Sequence, residues 1–128
     1  MRSRLPCLLI LGTIVLLSGC RQPVEPPTDV AARTPASIQV DGVDWSRVPG
    51  DLSGDSRLKR VFRDRKELAE SPNVSGTLVA YESASGDRVR FYWIQAWSDS
   101  DGWTWVETDR DGKFLASGEG AGPRFPGP

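Results

Sequence analysis

Four of the chain's five tryptophans fall between residues 93 and 105, in WIQAWSDSDGWTW. Flat indole rings stack on the apolar faces of sugars, and aromatic residues are enriched at protein interfaces. Side chains alternate faces along a strand, so Phe91, Trp93, Gln95 and Trp97 share one side. A turn of three or five residues carries Trp103, Trp105 and Glu107 to that same side, whereas an even turn divides the aromatics between two faces. The first arrangement makes a ligand or partner platform of Trp93, Gln95, Trp97, Trp103, Trp105 and Glu107, in which Gln95 and Glu107 hydrogen-bond hydroxyls or amides. The competing use of the same rings is as the core of a small domain, where aromatic cross-strand pairs contribute up to about 1 kcal/mol each.

Catalytic chemistry has a narrower basis. The chain has no histidine, the side chain best matched to proton transfer near neutrality. Histidine-based triads and histidine–cysteine zinc sites are therefore excluded. Two carboxylates about 5 to 9.5 Å apart can cleave a glycosidic bond, and Glu82, Glu107 and Asp109 are the acids on or near the expected strands. A small carboxylate-based hydrolase is the least favoured reading; the chain is expected to be non-catalytic and without a cofactor. Asp99–Gly102 and Asp109–Gly112 each match the middle of a calcium loop. An EF-hand needs an oxygen ligand at its first position and glutamate at its twelfth. Those positions fall on Trp97 and Thr108 for one stretch and on Glu107 and Gly118 for the other. Hairpin-turn chemistry explains both stretches, so no metal site is expected.

RLKRVFRDRK, residues 57–66, carries six basic side chains and one acid. On an amphipathic helix Arg57, Lys59, Arg60, Arg63 and Lys66 can contact anionic lipid head groups. The alternative is a solvated helix face paired with Asp64, Glu67 and Glu70.

These groups need elements to position them. Ile38 and Val40 alternate before a turn near Asp41-Gly42, which suggests a strand or hairpin. Ser53, Asp55 or Ser56 caps a helix of about 15 residues, whose stripe of Leu58, Val61, Phe62, Leu68 and Ala69 is broken at Arg65 and which ends before Pro72. Strands follow at 75–82, 88–97, 103–108 and 113–117, separated by Asp/Gly turns. The fold class is α+β, one amphipathic helix packed on a four- to five-stranded antiparallel meander sheet. One helix covers only one face of such a sheet. The other is closed by the first strand and linker, buried in another protein, or left open as a ligand surface.

At the N-terminus, Arg2 and Arg4 precede the apolar run Leu5–Leu17, which is too short for the roughly 20 residues of a membrane-spanning helix. The basic start, apolar run and small residues form a secretory-signal pattern. LLSGC, Leu16 to Cys20, resembles the lipobox of bacterial lipoproteins. The resemblance covers residues 1–20. It implies cleavage of residues 1–19, lipid attachment at Cys20 and an address in the cell envelope. Without an aspartate after the cysteine, it implies the periplasmic side of the outer membrane rather than the inner membrane in a two-membrane host. Residues 20–37 are then a lipidated cysteine with a proline-rich spacer reaching roughly 50 Å, residues 38–117 a small domain, and residues 118–128 a Gly/Pro-rich disordered tail. Losing Arg2 and Arg4 leaves 14 basic against 17 acidic side chains. That balance and the export signal argue against a nucleic-acid partner.

The expected function is a membrane-anchored, non-catalytic protein-binding or assembly module of the envelope. The alternative is a glycan- or peptidoglycan-binding module using the aromatic face. The anchor predicts that Cys20→Ala leaves an uncleaved precursor and abolishes acyl labelling, as read by electrophoretic mobility and fatty-acid incorporation.

Overall fold

The computed structural model describes residues 27–126. The expected leader and Cys20 lie outside the described residues. The elements run α1 (Pro27–Arg33), β1 (Ser37–Val40), β2 (Val43–Arg47), α2 (Ser56–Asp64), α3 (Lys66–Ala69), β3 (Thr77–Ser83), β4 (Arg88–Ala96), β5 (Asp101–Asp109) and β6 (Phe114–Gly122). All six strands join one antiparallel sheet in chain order. The α+β class and antiparallel meander therefore hold, but with six strands rather than four or five. Val40 pairs with Val43 around Asp41-Gly42, both with positive φ (52° and 78°), the signature of a two-residue hairpin turn. Of the two readings of this segment, strand or hairpin, the hairpin is the one formed, and its second arm, β2, brings the count to six.

The long helix is also shorter than expected. Asp55 caps α2 by accepting from the Arg57 and Leu58 amides, which satisfies donors that have no partner within the helix. Arg65 then leaves helical geometry (φ −130°, ψ 75°), and its guanidinium lies 4.0 Å from the centre of the Phe114 ring. Nine residues of α2 and four of α3 replace one continuous helix.

The sheet is covered on both sides. On the α2 side, Leu52, Leu58 and Val61 pack with Ala80, Val89, Phe91, Trp93 and Val106. On the other side, Val30, Ile38, Trp45, Val79, Tyr81, Tyr92, Ile94 and Phe125 form a second core. Strand twist curls the sheet far enough for Ile38 of β1 and Trp103 of β5 to line one cleft. So the second face is closed by the chain's own ends.

Two expected boundaries change accordingly. Part of the region assigned to a spacer forms α1, which places Val30 in the core at 4 % exposure. Part of the expected tail completes β6, and Phe125 beyond it is 3 % exposed. Neither segment contains enough apolar surface to fold alone; each is held by a partner distant in sequence. Arg33 donates through Nη1 and Nη2 to the two oxygens of Asp101 at 2.8 and 2.9 Å. The Phe125 amide donates to Asp101 Oδ2 at 2.8 Å. Arg47 donates to the Ala31 carbonyl at 3.2 Å and to the Thr34 hydroxyl, and the Tyr81 hydroxyl donates to the Pro35 carbonyl at 2.7 Å.

Asp101 is fully buried. Burial alone would raise its pKa, but the Arg33 hydrogen bonds, the Phe125 amide and the charges of Arg33 and Arg124 outweigh it and hold the carboxyl below its ordinary 3.8. A carboxyl with a depressed folded pKa contributes stability above the unfolded value, lost as the pH falls through the folded one. Asp101→Asn is expected to cost about 3 kcal/mol at neutral pH by breaking the buried carboxylate's ion pair with Arg33, and to remove part of the stability loss expected of wild type below pH 3.8. Denaturant titrations at neutral and acid pH measure both effects.

Candidate functional site

The geometry of the tryptophan region follows from one hairpin. In β4 and β5, Ala96 pairs with Asp101, Ile94 with Trp103, Tyr92 with Trp105 and Arg90 with Glu107. The Trp97 amide donates to the Ser100 carbonyl at 2.8 Å, and the connection between the strands is four residues long. An even connection divides the aromatics, so the six residues expected to form one platform are not brought together.

Trp93 faces α2, 5 % exposed and stacked on Phe62 with ring centres 5.7 Å apart. Gln95, on the same face, donates to the Ser75 hydroxyl at 2.7 Å. Trp97 lies across Gly102 and is 54 % exposed. Trp103, Trp105 and Glu107 occupy the opposite face, where β6 provides their floor. Trp105 pairs with Gly118 and Trp103 with Gly120, and each indole lies over its glycine. A Cβ at Gly118 would stand 2.6 Å from Trp105 Cζ2, and one at Gly120 would overlap Trp103 Nε1.

Around these rings is a cleft of about 190 Å³, lined among others by Ile38, Gln39, Arg90, Tyr92, Trp103 and Trp105. Glu107 is buried at its side, receiving Arg90 Nε at 2.7 Å and Arg88 Nη1 at 3.4 Å. The Arg90 guanidinium also donates to the Tyr92 hydroxyl at 3.3 Å and lies 3.8 Å from the centre of the Trp105 ring. Burial opposes its charge, but the bonds to Tyr92 and Glu107 prevail and raise its pKa above the usual value. Burial likewise pushes the Tyr92 phenol up, against the Arg90 hydrogen bond that lowers it. Arg90 therefore stays a cation committed to internal partners. Trp105 lies between that cation and Gly118, and Trp103 meets the Phe125 ring edge-on at 5.2 Å. These ring surfaces are packed against their own chain.

The acids considered for hydrolysis do not converge. Glu82 lies on the α2 side, 3.8 Å from Arg57, while Glu107 is on the opposite face. The Asp109 carboxylate closes the β5–β6 turn by accepting from the Asp111 and Lys113 amides at 2.9 Å each. That is turn chemistry rather than ligand chemistry, and no cluster of three or more metal-ligating side chains occurs among the described residues. The basic stretch is largely paired: Arg57 with Asp55 at 2.8 Å, Arg60 with Asp64 at 3.5 Å and Arg63 with Asp64 at 3.7 Å. Among the described residues Lys59 and Lys66 have no ion-pair partner and are exposed.

Arg33, Arg88, Gln39 and Phe125 contribute to this face without having been singled out in the sequence. One signal for the strand that supports it was present. The glycines of GEGAG recur every second residue, the same spacing as Trp103 and Trp105.

The chain matches no protein-family model, and no curated protein or solved structure is detectably similar to it.

Trp97 is the most exposed indole, so acrylamide should quench a small red component of the emission and leave a blue, protected majority. Trp97→Phe should remove that component without lowering the melting temperature, as fluorescence and thermal melts of the same sample will read.

Proposed function

We propose that this chain is a lipid-anchored envelope protein acting as a non-catalytic protein-binding or assembly module. The observation that carries the reading is the contrast between its aromatic residues and its sheet edge. Trp45, Trp93, Trp103 and Trp105 are engaged in packing or stacking within the fold, while the outward edge of β6 has no strand or backbone hydrogen-bond partner among the described residues. An open edge offers backbone donors and acceptors to another chain.

The anchor at Cys20 belongs to this reading, as does placement on the periplasmic side of the outer membrane in a two-membrane host. Because α1 begins at Pro27, the chain from Cys20 can separate the domain from the bilayer by at most about 25 Å. That is half the reach of a spacer extending to residue 37, so the module would work close to the membrane surface. Lys59 and Lys66 could then meet anionic head groups as a secondary contact.

A glycan-binding module has less support, because a sugar needs broad exposed ring faces: Trp97 is a single exposed ring, and Trp103 and Trp105, half-buried at the cleft, have ring surface taken up by Arg90, Phe125 and the β6 glycines. A carboxylate hydrolase has less still, with Glu82 and Glu107 on opposite faces.

Cross-linking of intact envelopes should place the lipidated chain in protein adducts, and the purified chain should not sediment with insoluble peptidoglycan. Sedimentation with peptidoglycan that is lost in Trp97→Ala would replace this reading with the glycan one. Turnover of envelope glycans abolished by Glu107→Gln would replace it with the hydrolase.

A further inference from the structure

β6 has few of the features that usually protect an outer strand. Sheet edges are commonly blunted by short length, lysine, proline, bulges or a covering segment. The opposite edge, β1, is four residues long. β6 is nine residues long, FLASGEGAG, with no proline and one charged residue, Glu119. Its irregularity lies at the start, opposite Glu107 and Thr108, and Ala116–Gly122 pair regularly with β5. That leaves an edge roughly 24 Å long at about 3.4 Å per residue. Leu115, Ser117, Glu119 and Ala121 are exposed along it, Leu115 at 44 %. The intervening Gly118 and Gly120 are roofed by the chain's own indoles.

We propose that β6 pairs with β6 of a second copy of this chain, antiparallel about Gly118, joining the two sheets across a two-fold axis. The deduction rests on the assembly reading above and names its partner. The strand is complementary to itself. About Gly118 the regularly paired stretch Ala116–Gly120 meets itself, and only the ends of the contact fall on the irregular residues Phe114 and Leu115. This register places Ala116 opposite Gly120 and Ser117 opposite Glu119. Small residues oppose small ones at Ala116 and Gly120, and each Glu119 carboxylate, which also accepts from Asn73 Nδ2 at 3.1 Å, faces a hydroxyl; Leu115, in the irregular start of the strand, lies at the apolar end of the contact near Ala121. Centring the pair on Glu119 instead would set two carboxylates directly across from each other, which is destabilising in a sheet. Centring it on Ser117 would oppose Leu115 with Glu119 and leave the end of the strand unpaired. The isologous contact satisfies the same backbone groups on both copies.

The register is directly testable in the full chain within its own membrane. In Ser117→Cys/Glu119→Cys the introduced thiols of two copies stand opposite each other, and oxidation should give a disulfide-linked dimer on non-reducing gels. In Ser117→Cys/Ala121→Cys they are diagonal neighbours about 7–8 Å apart, beyond disulfide reach, and should not link. The parent chain controls for Cys20. Ser117→Glu should weaken self-association in sedimentation measurements several-fold, and Ser117→Lys should strengthen it.

Equal linking of the matched and diagonal pairs, or linking of neither, overturns the proposal. A photoreactive residue at position 117 separates this failure from failure of the assembly reading. Adducts to a different protein overturn self-pairing and leave the assembly reading in place. No adduct at 117 overturns self-pairing; adducts from position 97 in the same envelopes would preserve the assembly reading, and silence at both positions would remove it too.

Discussion

Because side chains alternate along a strand, the pairing of Ala96 with Asp101 decides which face every residue of β4 and β5 reaches. A connection one residue longer or shorter would move Trp103, Trp105 and Glu107 to the α2 side. There they would compete with Trp93, Phe91 and Phe62 for the space beneath one short helix. The even connection instead distributes aromatic volume between two cores. It also puts Arg90 opposite Glu107, so the charge needed by the buried carboxylate arrives from the neighbouring strand at 2.7 Å.

A sheet with two apolar faces must cover both, and α2 with α3 covers one. The second is covered by the chain's two ends, both poor in large apolar residues, and the Asp101 carboxylate is the point at which they meet. It binds Arg33 from one end and the Phe125 amide from the other. Each end contributes little burial: Val30 from α1 and the Phe125 ring beyond β6. Burying such a side chain is worth about 1.5 to 3 kcal/mol, small against the entropy of ordering its segment. Hydrogen bonds to Asp101, Arg47 and Tyr81 make the docking specific. Packing of Phe125 against Tyr92 and Trp103, at 4.8 and 5.2 Å, makes it cohesive.

Closing that face has a consequence at the sheet's edge. The indoles of Trp103 and Trp105 can lie down only where the next strand lacks side chains, which requires glycine at 118 and 120. The strand that gives the tryptophans room is therefore the outermost one, a nine-residue run without proline or lysine. The packing demand of the interior thus shapes the surface through which the proposed assembly function would operate.

Much of this architecture follows from local sequence. Alternating strands, Asp-Gly turns and the Asp55 cap are effects of nearby residues on backbone conformation, and each leaves a readable pattern; at Arg65 the sequence showed only a gap in the apolar stripe, not the end of a helix. The α+β antiparallel class follows from their order. The candidate site was less legible, since the parity of the SDSDG connection is not set by its composition and a shift of one residue reverses every face. Arg33 and Phe125 offered no local sign of their importance, because their partner Asp101 is 68 residues from one and 24 from the other. The glycines of GEGAG read as part of a disordered tail, because their place in a strand is visible only once tryptophans at the same spacing lie alongside. The sequence by itself determined where the chain turns, where it extends and which side chains are available for burial. Tertiary structure alone decided which face each tryptophan joins and which segments complete the core, because register and burial are set by partners that only folding brings together.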